Sequence, residues 1–346
     1  MKKNYKNLTE SIKNNLNPDN IAYGENYNKE LSTISYSDVL TYVRFAMKGV
    51  EPNYTQKTKE AGERVKQHLN DKLEAVTFEY QGSVMTNTHI KGHSDIDLLT
   101  ICNKFHSYNS EKIKESINEA YKRRDNFSVK RLEEYLREPK YQGNSLEDLK
   151  KIRYDSENVL KNIYDICDIT KPKAIKIENK ALVREVDIVI AKWYKDADSV
   201  LNDKKENTGI QIFNKQLNAT ENIDFPFLSI SRINEKNIKT NKRLKKMIRF
   251  LKNIKINSEN SISISSFDIN AICYDIEISK YKDLEYIKMV KVIYEQLKEL
   301  ILYKHSSLLS VDGREYIFRE KYEKLEDLKL LCNEVEGILL DMEEVI

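Results

Sequence analysis

Cysteine is scarce and unpatterned. Cys102, Cys167, Cys273 and Cys332 form no CxxC pair and have no spaced histidine partners, so neither a disulfide framework nor a zinc site is indicated. Most are expected to be buried apolar fillers. Nine glycines and five prolines in 346 residues leave little to interrupt long helices. No run of 18 or more apolar residues occurs, and the opening stretch MKKNYKNLTESIKNNLNPDN has no apolar core of its own. The reading is therefore a cytoplasmic protein without a membrane partner. A charge excess is missing too: 58 basic residues face 55 acidic ones, net +3, so nothing overall demands a nucleic-acid polymer as stable partner. What is present is a globular balance, 40% hydrophobic and 33% charged, over a length that suits two lobes with a cleft between them.

From Tyr36 to about Leu73, Val39, Leu40, Val43, Phe45, Ala46, Val50, Ala61, Val65 and Leu69 keep a helical spacing. This predicts one long helix, or two joined near Glu51-Pro52-Asn53. VTFEYQGSV then reads as a strand ending in Gly-Ser, THIKGHS as a polar turn, and IDLLTIC as an apolar strand. From about Phe105 to Asp165 the chain is charged and helix-like, an insertion between sheet strands. Its segment SLEDLKKIRYDSENVLKNIYDI opens on a serine cap. IKIEN and LVREVDIVIAKWY predict two more strands, the second carrying Asp187. After Asp224-Phe225-Pro226 the pattern turns helical through NKRLKKMIRFLKNIKI, SSFDINAICYDIEI, KDLEYIKMVKVIYEQLKELILY and KLEDLKLLCNEVEGILLDMEEV. The fold class is α/β (α+β), divided into a mixed-sheet core with an N-terminal helix over 1–220 and a helical lobe over 221–346.

Chemistry concentrates in one segment, QGSVMTNTHIKGHSDID, residues 81–97. Asp95 and Asp97 are two apart, so on a strand both carboxylates share a face. Such a pair repels itself unless a cation lies between, and hard divalent ions with oxygen ligands, magnesium above all, are the usual answer. Asp187, on a later strand, supplies a third acid. Three acids of this kind serve two-ion phosphoryl transfer, one ion activating a hydroxyl and the other steadying the triphosphate. Asp95 and Asp97 would hold both ions, while Asp187 would bind the first and position the hydroxyl. Gly82 lets backbone approach phosphate, and Ser83 offers a hydroxyl and an N–H. Taken alone, Asp-x-Asp at a strand end is more often solvated turn chemistry; the Gly-Ser ahead of it and the third acid set this one apart.

QGSVMTNTHIKGHSDIDLLTI resembles the signature of the bacterial cGAS/DncV-like nucleotidyltransferases of antiphage (CBASS) systems. YSDVLTYVRFAMKGVEPNYTQKT is similar to their spine helix and REVDIVIAKWY to their third-acid strand. RLKKMIRFLKNIK, SSFDINAIC and VDGREYIF resemble parts of their helical lobe. The resemblance implies a polymerase-β-like core and synthesis of a cyclic di- or trinucleotide from NTPs, ATP and/or GTP favoured. Pyrophosphate would leave, and a linear intermediate would be turned over in the same site. It also implies two Mg2+ ions, replaceable by Mn2+, an effector protein that reads the product, and an activating regulator. No zinc-ribbon insertion is apparent, which argues against the DNA-sensing mode of the animal relative. Lys245, Arg249 and Lys252 fall on one helix face, a stripe that would either reach phosphate or simply be solvated. Ser266 and Phe267 match family positions resembling Ser-Tyr, where a hydroxyl meets phosphate and a ring stacks on a base. Phe267 keeps the ring without the phenol, and core packing is the other reading. His89 and His93 read as loop or substrate-contact residues, and Asp165/Asp168 receive no role. Two competitors remain: a nucleotidyltransferase acting on an RNA or protein acceptor, disfavoured by balanced charge, and an inactive scaffold, disfavoured by the presence of all three acids.

Overall fold

Residues 3–16, 37–90 and 95–345 are described by the computed structural model. The start of the spine helix at Tyr36, and the turn residues Lys91, Gly92, His93 and Ser94, lie outside them. Among the described residues a sheet of seven strands is built around β2 (Ile96–Ser107). Leu98, Leu99, Ile101 and Cys102 are all buried, the continuous apolar run of a strand covered on both faces. β1 (Val76–Gln81) pairs antiparallel with β2, setting Gln81 opposite Asp97. On the other side β5 (Arg184–Tyr194) runs parallel to β2 and sets Asp187 opposite Asp97. β4 (Ile175–Asn179) follows antiparallel to β5, and β3 (Cys167–Asp168) closes that edge. β6 (Gly209–Asn214) and β7 (Ala219–Asp224) extend the sheet from the second half of β5. The mixed sheet agrees with the expected fold class; sequence patterning had not flagged β6 and β7.

The chain divides into two compact units. The sheet unit comprises Gln56–Met85 and Asp95–Ser231; the helical unit comprises the described parts of Met1–Thr55, Thr86–Ser94 and Arg232–Ile346. This division differs from the expected cut at 220/221. α1 (Tyr5–Leu16) and α2 (Asp38–Met47) group with the helical unit because Tyr5, Ile12, Val43 and Phe45 share one core with Phe250 and Leu331. Each fully buried side chain of this size contributes about 1.5–3 kcal/mol. The spine is two helices, α2 and α3 (Pro52–Asn70), and Pro52 opens the second, where its missing N–H costs no hydrogen bond.

α4 (Ser83–Thr86) is a single turn after Gly82. The insertion after β2 is helical as expected: α5 (Ser110–Lys122), α6 (Asn126–Arg137) and α7 (Ser145–Ile163). The cap of α7 is Asn144, which accepts from the amides of Leu146 and Glu147, and not Ser145, which is already the first helical residue. α8 (Ala197–Asn202) follows β5. The helical run then proceeds through α9 (Pro226–Lys239), α10 (Leu244–Asn257), α11 (Ser266–Asp275), α12 (Tyr286–Glu299) and α13 (Tyr322–Glu343). Among the described residues no helix is long and apolar enough to cross a membrane. Cys102, Cys273 and Cys332 are buried thiols, in line with their expected role as fillers.

Candidate active site

The sheet places Asp95, Asp97 and Asp187 together within one unit. Parallel pairing makes Asp97 and Asp187 direct neighbours, and Asp95 stands two residues before Asp97 at the mouth of β2. Burial, with the charges of Asp187 and Asp95 beside it, pushes the Asp97 carboxyl up to about 7. Asp187 is also raised by burial, against the pull of Lys171 and Lys176. Gly82 has φ +85, a left-handed conformation that favours glycine, and a Cβ there would lie 2.2 Å from Asp97 Oδ2. The glycine therefore serves both the turn into α4 and the close approach of backbone to carboxylate. Ser83 is the first residue of α4, at the end of that turn.

Two lysines that sequence reasoning did not single out serve these acids. Lys176, opposite Asp187 on β4, donates to Asp95 Oδ2 at 2.7 Å and to Glu185 Oε2 at 2.8 Å. Burial opposes its charge, yet those two bonds hold the ammonium above the ordinary lysine range. Lys171 Nζ stands 3.8 Å from Asp187 Oδ1, too far for a hydrogen bond, and that buried oxygen has no hydrogen-bond partner among the described residues. The signal for Lys176 was its register: a basic residue at the second position of IKIEN, paired across from the third acid.

Among the described residues, no three acidic, histidine or cysteine groups stand as a finished metal cage. The residues nonetheless fit a hard divalent cation. Their donors are all carboxylate oxygens, two of the acids are half-buried with like charge adjacent, Asp187 keeps an oxygen without a hydrogen-bond partner among the described residues, and the missing Cβ at Gly82 leaves space against Asp97.

The other expected site residues lie in the helical unit, and there the structure changes their meaning. Arg249 and Lys252 are only 7% and 5% exposed, so the stripe on α10 is not a solvated face. Arg249 donates to the carbonyl oxygens of Met47 (2.9 Å) and Asn87 (2.7 Å), and Lys252 to that of Thr88 (3.2 Å). Met47 ends α2, where carbonyls lack helical partners and a cation is favoured. Burial lowers Arg249 to about 10 and Lys252 to about 8. Lys245 is half-buried and bonds Asn234 at 2.6 Å. Ser266 is exposed at the start of α11, whose cap is Ser265 with Asp268, and Phe267 packs partly buried against the helical core. His89 is buried with Nε2 3.1 Å from Thr55 Oγ1, a loop role. Asp165 pairs with Lys180 and Asp168 accepts from Thr170, both outside this cluster.

A mixed sheet with a Gly-Ser turn, a strand-borne acid pair and a third acid on the parallel neighbour is a nucleotidyltransferase core. Residues 231–339 match the family model of the cGAS/DncV-like nucleotidyltransferase C-terminal helical domain. A Capnocytophaga granulosa protein named c-di-GMP synthase is 49% identical, over 100% of this chain and 99% of its own length. A second c-di-GMP synthase, from a Lachnospiraceae bacterium, is 47% identical over 88% and 89%. A solved STING-associated CdnE c-di-GMP synthase from Flavobacteriaceae sp. superposes with TM-score 0.87 at 39% identity, covering 99% of each chain. The chain belongs to the cGAS/DncV-like nucleotidyltransferases. The expected reaction class, synthesis of a cyclic nucleotide, agrees with what these relatives are named for.

Proposed function

We propose that the protein joins two molecules of GTP into cyclic di-GMP with release of pyrophosphate, in antiphage signalling where a STING-type effector reads the product. The product assignment is supported by the names of the relatives at 49% and 47% identity, and the effector by the STING association of the relative from Flavobacteriaceae sp.. The single observation that carries the chemistry is the Asp97–Asp187 register with Gly82 closed against Asp97. Mg2+, or Mn2+ in its place, would be held by Asp95, Asp97 and Asp187 and would supply the positive charge that lowers the pKa of a ribose hydroxyl and neutralises triphosphate oxygens. The chain's own part is positional. Gly82 and Ser83 bring backbone and a hydroxyl to the phosphates, and Asp187 orients the attacking hydroxyl. Lys176 keeps Asp95 and Glu185 from repelling each other when no cation is bound.

The test incubates purified protein with Mg2+ and labelled ATP, GTP, CTP and UTP singly and together, followed by phosphatase and mass spectrometry. A phosphatase-resistant product from GTP alone, absent from Asp95→Ala/Asp97→Ala, is expected. A mixed-base product would overturn the c-di-GMP assignment, and labelled RNA or protein would overturn the cyclase reading. If purified protein is silent, adding cell extract tests the need for an activating regulator.

A further inference from the structure

The sheet unit holds a second concave site. A cavity of about 550 Å³ opens around the far end of β2, lined by residues of β2, β5, α6 and the first turns of α5 and α7. His106 lies nine residues beyond Asp97 on β2, which at strand rise is roughly 25–30 Å, so the cavity is separate from the acids. Its volume lies in the range of small-molecule sites.

The lining combines two kinds of group. Flat rings come first: Phe105 stacks on Tyr141 with centroids 5.0 Å apart, and His106 on Tyr135 at 5.6 Å. Anion-seeking groups come second. Ser110 and Ser145 are the first residues of α5 (13 residues) and α7 (19 residues), and both line the cavity. Asn109 and Asn144 cap the next two amides of each helix, leaving the Ser110 and Ser145 N–H groups without acceptors among the described residues, at the positive ends of two helices.

Lys192 is half-buried in the wall and makes no ion pair or hydrogen bond with its side chain among the described residues, and burial holds it below the usual lysine range. Lys140 stands at the rim, and Lys104, also in the lining, is tied to Asp148 at 2.6 Å. Tyr135 is 7% exposed, and its buried hydroxyl has no hydrogen-bond partner among the described residues. Glu138 is the only carboxylate in the lining, and it is exposed. Unpaired buried donors of this kind cost stability unless a ligand completes them.

We propose that this cavity is a second nucleotide site, with the base against the ring pairs and phosphate between the two helix N-termini, Lys192 and Lys140. The inference does not rest on the cyclase reading, because it is measured without metal. Trp193, the only tryptophan, donates its indole N–H to Asn103 of the cavity wall at 3.2 Å, so its emission reports on the site.

The experiment titrates the full chain in EDTA with GTP, GMP, cyclic di-GMP and pyrophosphate, by calorimetry and Trp193 fluorescence. Saturable nucleotide binding with a fluorescence change is expected, weakened about tenfold or more by Lys192→Met and by Lys140→Glu. Lys140 is exposed, so its variant folds normally and isolates the charge. The arms separate substrate from product as the ligand. No binding up to about 1 mM, binding indifferent to both lysine variants, or pyrophosphate binding as tightly as GTP would overturn the proposal.

Discussion

The protein buries charge in two places and treats it oppositely. In the helical unit, Arg249 and Lys252 are almost inaccessible, yet their donors meet the carbonyl oxygens of Met47, Asn87 and Thr88. In the sheet unit, Asp97 and Asp187 are half-buried neighbours beside Asp95, and Lys176 bonds only Asp95 and Glu185. A buried charge whose partners belong to the chain is architecture. Buried charges of one sign with too few partners store a repulsion that a ligand relieves, and that is the mark of a functional site. The same contrast bears on the basic stripe, read from sequence as phosphate-facing or solvated: it is not a solvated face, and Arg249 and Lys252 brace the end of α2 and the residues that follow Thr86.

The comparison breaks hardest at the acids. Asp95→Ala/Asp97→Ala should lower cyclic product formation about 10³-fold or more while leaving the thermal midpoint at or above that of the wild type, read by product assay beside calorimetry. Gly82→Ala should cost roughly 100-fold in turnover, since its Cβ would meet Asp97 Oδ2 and the left-handed turn would be strained. Arg249→Met should destabilise by about 2–4 kcal/mol in denaturant unfolding, because two carbonyls lose their donor.

Asp97→Asn should do the reverse. With the folded carboxyl at about 7 against 3.8 unfolded, the native state binds more protons between those values. The contribution of Asp97 to wild-type stability in metal-free buffer is therefore fully present below about 3.8 and is lost as pH rises through about 7. The variant should remove that slope and be the more stable protein at pH 8 by about 1–3 kcal/mol. The smallest effect is expected from Lys176→Met, a few-fold lower Mg2+ concentration at half-maximal activity, since the ammonium competes for Asp95.

Much of the site was legible in sequence because it is local: Gly82, Ser83, Asp95 and Asp97 fall within sixteen residues, and strand alternation fixes their faces. Asp187 was legible because the apolar run around it marks a buried strand. Lys176 was not, since its role depends on β4 pairing with β5. The first two helices grouped with the helical unit for the same reason: Tyr5 and Ile12 reveal their partners only when the chain is folded. β6 and β7 were missed because their short alternation around Asn218, a left-handed turn residue, is weak without the neighbouring strand.

The most direct test of the central claim is calorimetric titration of Mn2+ into EDTA-treated protein at several pH values. The acids, if they await a cation, should bind Mn2+ saturably, release protons on binding, and gain affinity as pH rises through about 7, and Asp95→Ala/Asp97→Ala should abolish this. Equal Mn2+ binding by the double variant, or none by the wild type with GTP present, would contradict the account.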